Sequence, residues 1–436
     1  MTTISVEKWV NNHRDLLKSW RQTRHQLPEV GWTEIIATYT ITQHLKNLHG
    51  RVIYGKELID TNSRQGMVSE VEWQEAATRA EEHGVPASFI EELDTGHTGA
   101  LIQFDTGSPG PHVAYRFDID ALPIKESDDA SHEPRKQDFP SQIPGAMHAC
   151  AHDGHAAIGL GVASFISEHL NQLTGTITVI FQPAEEGSRG AKAIVNKGWL
   201  DRVDYFISGH IGISSLSVGE IASTTHSFLA TTKFNVSFQG VSSHAGAKPE
   251  EGRNALLAAA TAATQLHAVS RHSGGASRIN VGSLHAGSGR NIIADTAELQ
   301  GETRGSTTEI NEFMIKEAKR IIQAAALMYD VEAHIEIVGQ GEAADCDEEW
   351  KQWIPASLQG SELITNVLPT MAVGASEDVT VMMNRVQQNG GKATYMIFGT
   401  PLAAGHHHPA FDYDENVLAI AVTACLHPLV TQIWSK

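Results

Sequence analysis

The chain has no apolar run approaching the ~18 residues that a membrane-spanning helix needs. Its first twenty residues carry no basic-then-apolar leader pattern, so the cytoplasm is the expected compartment. Cysteine is scarce. Cys150, Cys346 and Cys425 are odd in number, far apart and form no CxxC pair. That excludes a disulfide framework and fits a reducing environment. Positive charge is also short, with 32 Lys and Arg against 51 Asp and Glu, a net charge of -19 and no Lys/Arg-rich run. Nucleic acid and anionic membrane surfaces should repel such a chain. An anionic substrate would need a local basic pocket. The glycine-bearing stretches 107–110 and 287–289 complete neither a phosphate loop nor a dinucleotide fingerprint. No GxSxG elbow and no HExxH helix is present.

What is present is apolar material for a core, 41% of 436 residues, a length natural for two domains. Histidine is in surplus at 23, which directs attention to metals and proton transfer. Residues 6–20 and 33–48 have helical periodicity. The polar stretch 52–97 reads as an insertion beside a core, with a helix over 70–83. Short β-rich runs follow at 99–104, 113–117, 176–181, 205–208 and 394–398, with helix-like stretches such as 154–170 between several of them. This alternation predicts an α/β fold, an open mixed sheet with helices on both faces. The middle differs. Strand-like 228–238, helical 254–272, strand-like 278–284 and 296–303, helical 308–329 and strand-like 331–338 give the order β-α-β-β-α-β. That is the order of a ferredoxin-like unit. The expected organisation is an α/β domain over 1–225 and 342–436, interrupted by a compact α+β domain over 226–341.

Polar clusters fall at the ends of the predicted strands: Asp118 and Asp120 after Phe117, Glu185-Glu186 after Phe181, Gly209-His210 after Ser208, and a Gly-rich turn into His406-His407-His408 after Phe398. Open α/β sheets bind ligands outside the carboxyl ends of their strands. The densest segment, MHACAHDGH at 147–155, places three His, one Cys and one Asp just before a helix. Thiolate and imidazole suit zinc and other late transition metals, whereas carboxylates suit manganese or magnesium. A single cysteine at a helix start is more often buried and inert, but this density argues for a metal site. His148 and His155 could each be ligands or structural. An adjacent Glu pair is ordinarily a solvated face. Directly after an apolar strand, one carboxylate can hold metal while the other takes a proton from water. Cys150 as a thiol nucleophile is the rival chemistry, but it leaves the carboxylates and distant histidines without a role.

The segments HACAHDGH, FQPAEEGSRGA, the His210 segment and SSHAGAKPE, in that order, resemble the aminoacylase and carboxypeptidase-type two-metal amidohydrolases. The resemblance runs from RHQLPE at 24–29 to His407, nearly the whole chain. FLATTKF at 228–234, AGSGRN at 286–291, GASED at 374–378, FGTPLAAGHHH at 398–408 and the 52–97 insertion resemble the aminobenzoyl-glutamate branch of that family. The resemblance implies Cys150, His152, Glu186, His210 and His407 as metal ligands. His407 has immediate alternatives in His406 and His408, although the spacing to Phe411 favours it. Glu185 would be the general base and later the proton donor, and Asp120 would orient a ligand. The carboxypeptidase branch carries a carboxylate where Cys150 stands, so the thiolate agrees instead with the amino-acid-conjugate branch.

His244 would reach an active site across a dimer contact and stabilise the oxyanion; the bland alternative is a turn histidine. Arg290 and Asn291 would hold the substrate α-carboxylate, since the Arg fork binds carboxylate in two places; a solvated turn is the rival. Arg304 and Lys248 are weaker candidates for that task. Implied cofactors are two divalent metal ions, manganese favoured and zinc possible. The implied substrate is p-aminobenzoyl-glutamate, with a hippurate-like N-acyl amino acid as the alternative. The implied assembly is a homodimer, or a heterodimer with a related B-type subunit. A non-catalytic subunit keeping the same fold is the rival of another class.

Overall fold

The computed structural model describes residues 5–213 and 216–433. Among the described residues, fourteen strands occur in chain order: β1 (Arg51–Tyr54), β2 (Ala100–Asp105), β3 (His112–Asp118), β4 (Thr176–Gln182), β5 (Tyr205–Ile211), β6 (Glu220–Ala222), β7 (Thr225–His226), β8 (Ala230–Gln239), β9 (Ser277–Ala286), β10 (Thr296–Gly305), β11 (Glu332–Gly341), β12 (Asn366–Leu368), β13 (Met371–Ala372) and β14 (Lys392–Phe398). The large sheet has eight strands in the order β1-β2-β4-β3-β5-β14-β6-β12. Its centre, β4-β3-β5-β14, is parallel, while β1, β2 and β6 run antiparallel to their inner neighbours. The sheet is therefore mixed, as expected.

Strand alternation sends successive side chains to two separate cores. Val113, Tyr115 and Phe117 of β3, with Met396 and Phe398 of β14, pack beneath the helices Val6–Asn12, His152–His169 and Val417–Pro428. Ala114 of β3, with Ala393, Tyr395 and Ile397 of β14, faces the helices Ala191–Val195 and Val379–Gln388. Helices thus cover both faces, which explains why the central strands read as almost continuous apolar runs.

The second sheet has the order β11-β8-β10-β9 and is antiparallel throughout. The helices Ala255–Leu266 and Thr308–Met328 pack on one of its faces through Phe234, Val236, Phe238, Ala258, Ala262, Met314 and Ile322. With those helices between its strands, this is a ferredoxin-like arrangement.

Two local expectations need correction. The helix expected over 6–20 is broken at His13, which separates Val6–Asn12 from Arg14–Gln26. His13 Nδ1 bonds the Trp9 carbonyl at 2.7 Å and its ring stacks on Trp9, so a side chain competes with the helical ladder. The 52–97 stretch is more than a polar insertion. It continues from β1, an edge strand of the large sheet, and carries the helices Glu70–Glu82 and Ala87–Leu93. Those helices bury Trp73, Phe89 and Leu93 against Ile35 and Ile36.

The second sheet is docked onto the first domain through backbone. Gln340 N–H donates to Ser188 O at 2.8 Å. A β-carbon on Gly339 would lie 2.0 Å from Gly187 O, so only glycine allows that approach. The register slip in β11 between Ile337 and Gly339 accommodates the contact. Gln340 also ties in Gln65 and Lys192, at 3.1 and 3.0 Å. Among the described residues, no helix is long and apolar enough to cross a membrane.

Candidate active site

The site forms at the carboxyl ends of the parallel strands. β3 ends at Asp118, with Asp120 two residues on; β4 runs into Glu185 and Glu186; β5 carries His210; and the loop after β14 brings His406 and His407. His152 opens the helix His152–His169, whose preceding residue Ala151 is left-handed at φ 64°. Ala184, Ser188 and His407 also have positive φ, at 50°, 60° and 63°. Such backbone strain in non-glycine residues concentrates where the surrounding structure enforces a functional geometry. Glu34 helps enforce it here. Its buried carboxyl accepts from Ala184 N–H at 2.7 Å and from the Thr98 hydroxyl at 2.6 Å. The C-terminal turn is pinned in the same way, with His407 N–H donating to Ala149 O at 2.8 Å.

Asp120 organises two neighbours. One carboxylate oxygen lies 3.2 Å from His152 Nδ1, and the other accepts from Glu186 N–H at 2.9 Å. His152 Nδ1 also reaches Asp120 O at 3.0 Å, which puts its hydrogen on that nitrogen and presents Nε2 to the site. His210 is set likewise: Nδ1 bonds Ile211 O at 2.8 Å and Nε2 lies 3.5 Å from Cys150 Sγ. Burial, then the neighbouring imidazoles His155 and His406, holds His210 well below the usual histidine range, neutral and ready to donate a lone pair. Burial opposes charge on His152 as well, yet Asp118, Asp120 and Cys150 raise it well above that range.

Four sets of ligand atoms lie within 4.8 Å of one another: Cys150, His152 and His210; Cys150, Glu186 and His407; His152, Glu185 and Glu186; and Asp118, His152 and His155. Shared members merge these sets into one rim. Glu186 Oε1 is buried without a hydrogen-bond partner, 3.4 Å from His407 Nε2. An orphaned carboxylate oxygen facing imidazoles and a thiol is a donor set that fits divalent transition cations. His155 does not contribute in the same way. Its Nε2 accepts from Ile211 N–H at 3.0 Å and its Nδ1 bonds Asp118 at 2.5 Å, so both ring nitrogens are occupied. His406 reaches Cys150 Sγ at 3.6 Å through Nδ1, while its Nε2 bonds Gly212 O. His407 Nε2 lies 3.4 Å from Glu186, whereas His408 Nδ1 accepts from Ala410 N–H at 3.0 Å.

Beneath the rim lies a charge network for which no role was assigned from sequence. Arg116, fully buried inside β3, donates to Asp118 at 2.5 Å, Asp378 at 3.1 Å and Gln182 at 2.7 Å. Glu377 and Asp378 sit against Glu185, and Asp378 N–H donates to Glu185 Oε1 at 3.4 Å. Burial pushes the Glu377 carboxyl up to about 7 and Asp378 to about 6, with Arg116 opposing both shifts. Burial, then Glu377, Asp378 and Glu186, raises Glu185 well above the ordinary range. A charged residue inside the apolar run VAYRFD was the available signal for Arg116, and the acidic pair in GASED the signal for Glu377 and Asp378.

Asp120, Cys150, His152, Glu185, Glu186, His210 and His407 therefore meet on one rim. His244, Arg290 and Asn291 do not join it. They are exposed together at the far tip of the second sheet, where Ala245 N–H donates to Asn291 O at 3.0 Å. Arg304 is held by Glu302, and Lys248 is exposed and paired with Glu251.

A domain of this architecture, with carboxylates, imidazoles and a thiol converging at its strand ends, has the form of a metal-dependent hydrolase. The chain belongs to the peptidase family M20/M25/M40, whose model matches residues 114–427. It is 44% identical to indole-3-acetyl-aspartic acid hydrolase of Enterobacter agglomerans over 96% of both chains. It is 42% identical to the A-type subunit of p-aminobenzoyl-glutamate hydrolase from Escherichia coli (strain K12), covering 99% of each. The fold matches a crystal structure of aminobenzoyl-glutamate utilization protein from Klebsiella pneumoniae with a TM-score of 0.86 and 36% identity, over 99% of this chain and 100% of the other. The protein is an amide hydrolase of that family.

Proposed function

We propose that the protein cleaves p-aminobenzoyl-glutamate to p-aminobenzoate and glutamate, using two divalent cations held by Cys150, His152, Glu186, His210 and His407. The convergence of these five donors around Glu185 carries the reading. Cations bound there would supply Lewis acidity toward water and the amide carbonyl. Glu185 takes a proton from the attacking water and returns it to the leaving nitrogen. Asp120 keeps His152 turned with Nε2 toward the site. The relative that cleaves an indole-acetyl aspartate conjugate favours a second substrate, indole-3-acetyl-aspartate, through the same chemistry. Manganese, which the carboxylates suit, is favoured, and zinc, which the thiolate suits, is the alternative.

Elemental analysis should find near two metals per chain. Chelator should abolish hydrolysis of p-aminobenzoyl-glutamate, and manganese or zinc should restore it. Running indole-3-acetyl-aspartate and benzoyl-glycine beside it ranks the acyl and amino-acid preferences. A chain with no metal and no turnover on any of the three after adding either ion would sink the reading.

The exposed placement of His244, Arg290 and Asn291 supports their action on a neighbouring subunit, in a homodimer or in a heterodimer with a B-type subunit. There His244 would donate to the oxyanion, while Arg290 and Asn291 bind the α-carboxylate. If so, the inactive variants Glu185→Gln and His244→Ala should regain activity when mixed, because hybrid dimers carry one intact composite site. Mixtures that stay as inactive as their components count against that arrangement.

A further inference from the structure

A cavity of about 490 Å³ separates the second sheet from the loop that carries Glu185 and Glu186. Gly66 and Met67 of the 52–97 stretch form one wall, Gly187 and Arg189 another, and Lys233, Asn280 and Glu302 the sheet side. Phe234 and Val236 of β8 turn toward the helices of their own domain, so alternation turns Lys233 the other way, toward Ser188 on the loop that carries Glu185 and Glu186. Lys233 is half-buried, and its one hydrogen bond among the described residues is to Ser188 Oγ at 3.4 Å. An ammonium has three donors, so most of its capacity is unused.

Glu185, Glu302 and Glu186 attract the charge of Lys233, but among the described residues none of them accepts a hydrogen bond from it. Glu302 pairs directly across the strands with Lys233, but Arg304 binds both its oxygens, at 3.0 and 3.2 Å. Glu186 is one of the rim donors, and Glu185 faces Glu377 and Asp378. Arg189 adds a second cation to the wall, fixed by bonds from Nε to Glu186 O at 2.8 Å and from Nη1 to Gly66 O at 2.9 Å. In a chain of net charge -19, a flexible cation with open donors beside the catalytic acids is the local attraction an anionic substrate needs.

We propose that Lys233, backed by Arg189, is the subsite for the side-chain carboxylate of an acidic leaving amino acid. The inference rests on the amide-hydrolase reading above and adds the source of its preference for aspartyl or glutamyl conjugates. The α-carboxylate is a separate group, left to Arg290 and Asn291. The four-carbon stem of lysine lets one residue meet an aspartate or a glutamate side chain.

The test compares the wild-type protein with Lys233→Met and Lys233→Arg on p-aminobenzoyl-glutamate and on p-aminobenzoyl-glutamine, an isostere whose side chain is uncharged while its α-carboxylate remains. Loss of one charged hydrogen bond should lower the glutamate-to-glutamine ratio of kcat/KM by about 10- to 100-fold in Lys233→Met, mainly through KM. Lys233→Arg should recover much of that ratio. An equal fall on both substrates with a shifted pH profile would mean that Lys233 acts through Glu185, and it overturns the subsite. An unchanged ratio overturns it too, while amide hydrolysis stands. If the metal-loaded wild-type protein cleaves neither substrate, the underlying reading fails and takes the inference with it.

Discussion

Replacing Glu185 by Gln should lower kcat by about 10²- to 10⁴-fold while leaving metal content unchanged. The substitution is nearly isosteric, so the packing of this buried side chain against Asp378 survives. What disappears is the ability to accept and return a proton. Amide cleavage needs both halves, because the leaving nitrogen departs poorly as an anion. Burial, then Glu377, Asp378 and Glu186, raises the affinity of this carboxylate for the proton it takes up. Glu186→Gln should behave differently, losing metal along with activity. Elemental analysis beside steady-state kinetics separates the two, and near-normal turnover in the Glu185 variant would remove it from the mechanism.

The second large effect is structural. Arg21 is buried at 1% exposure between three acids, with Nε 2.9 Å from Asp153, Nη2 2.5 Å from Asp412 and Nη1 3.3 Å from Glu415. Its guanidinium lies 4.6 Å from the Tyr413 ring centroid and 4.7 Å from that of Phe139. Asp153 follows the rim residue His152 and also binds His25 and the Tyr413 hydroxyl. Arg21→Met leaves Asp153 and Asp412 buried without their cation, which should cost about 3–5 kcal/mol. Arg21→Lys should fall between, since one ammonium cannot reproduce the guanidinium fork. Chemical denaturation measures both. A loss below about 0.5 kcal/mol in Arg21→Met, the range of ordinary surface substitutions, would show that the network contributes little to stability.

Much of this was legible along the chain because its cause is local. Strand alternation, the β-α-β-β-α-β order and the dense His and Cys segment are patterns of neighbouring residues, and each predicted strand of the large sheet lies within or close to an observed one. Arg116 was less legible: a lone arginine in an apolar run does not announce that Asp118 and Asp378, separated by 260 positions, meet on it. The break at His13 was invisible to periodicity, because a side chain bonding its own helix leaves the apolar spacing intact.

By itself the sequence determined which chemistry was available: carboxylates, imidazoles and a thiol placed at predicted strand ends, on a chain of net charge -19. Tertiary structure decided which of them share a site. His155 and His152 are three residues apart on one helix, yet only His152 turns a free nitrogen to the rim, because Ile211 N–H and Asp118 occupy the other ring. Lys233 gains its place across the cavity from Gly187 and Arg189 because β11 presses Gly339 onto Gly187 and brings the two sheets together. Hydrogen-bond saturation and backbone approach depend on partners far away in the chain, and only folding supplies them.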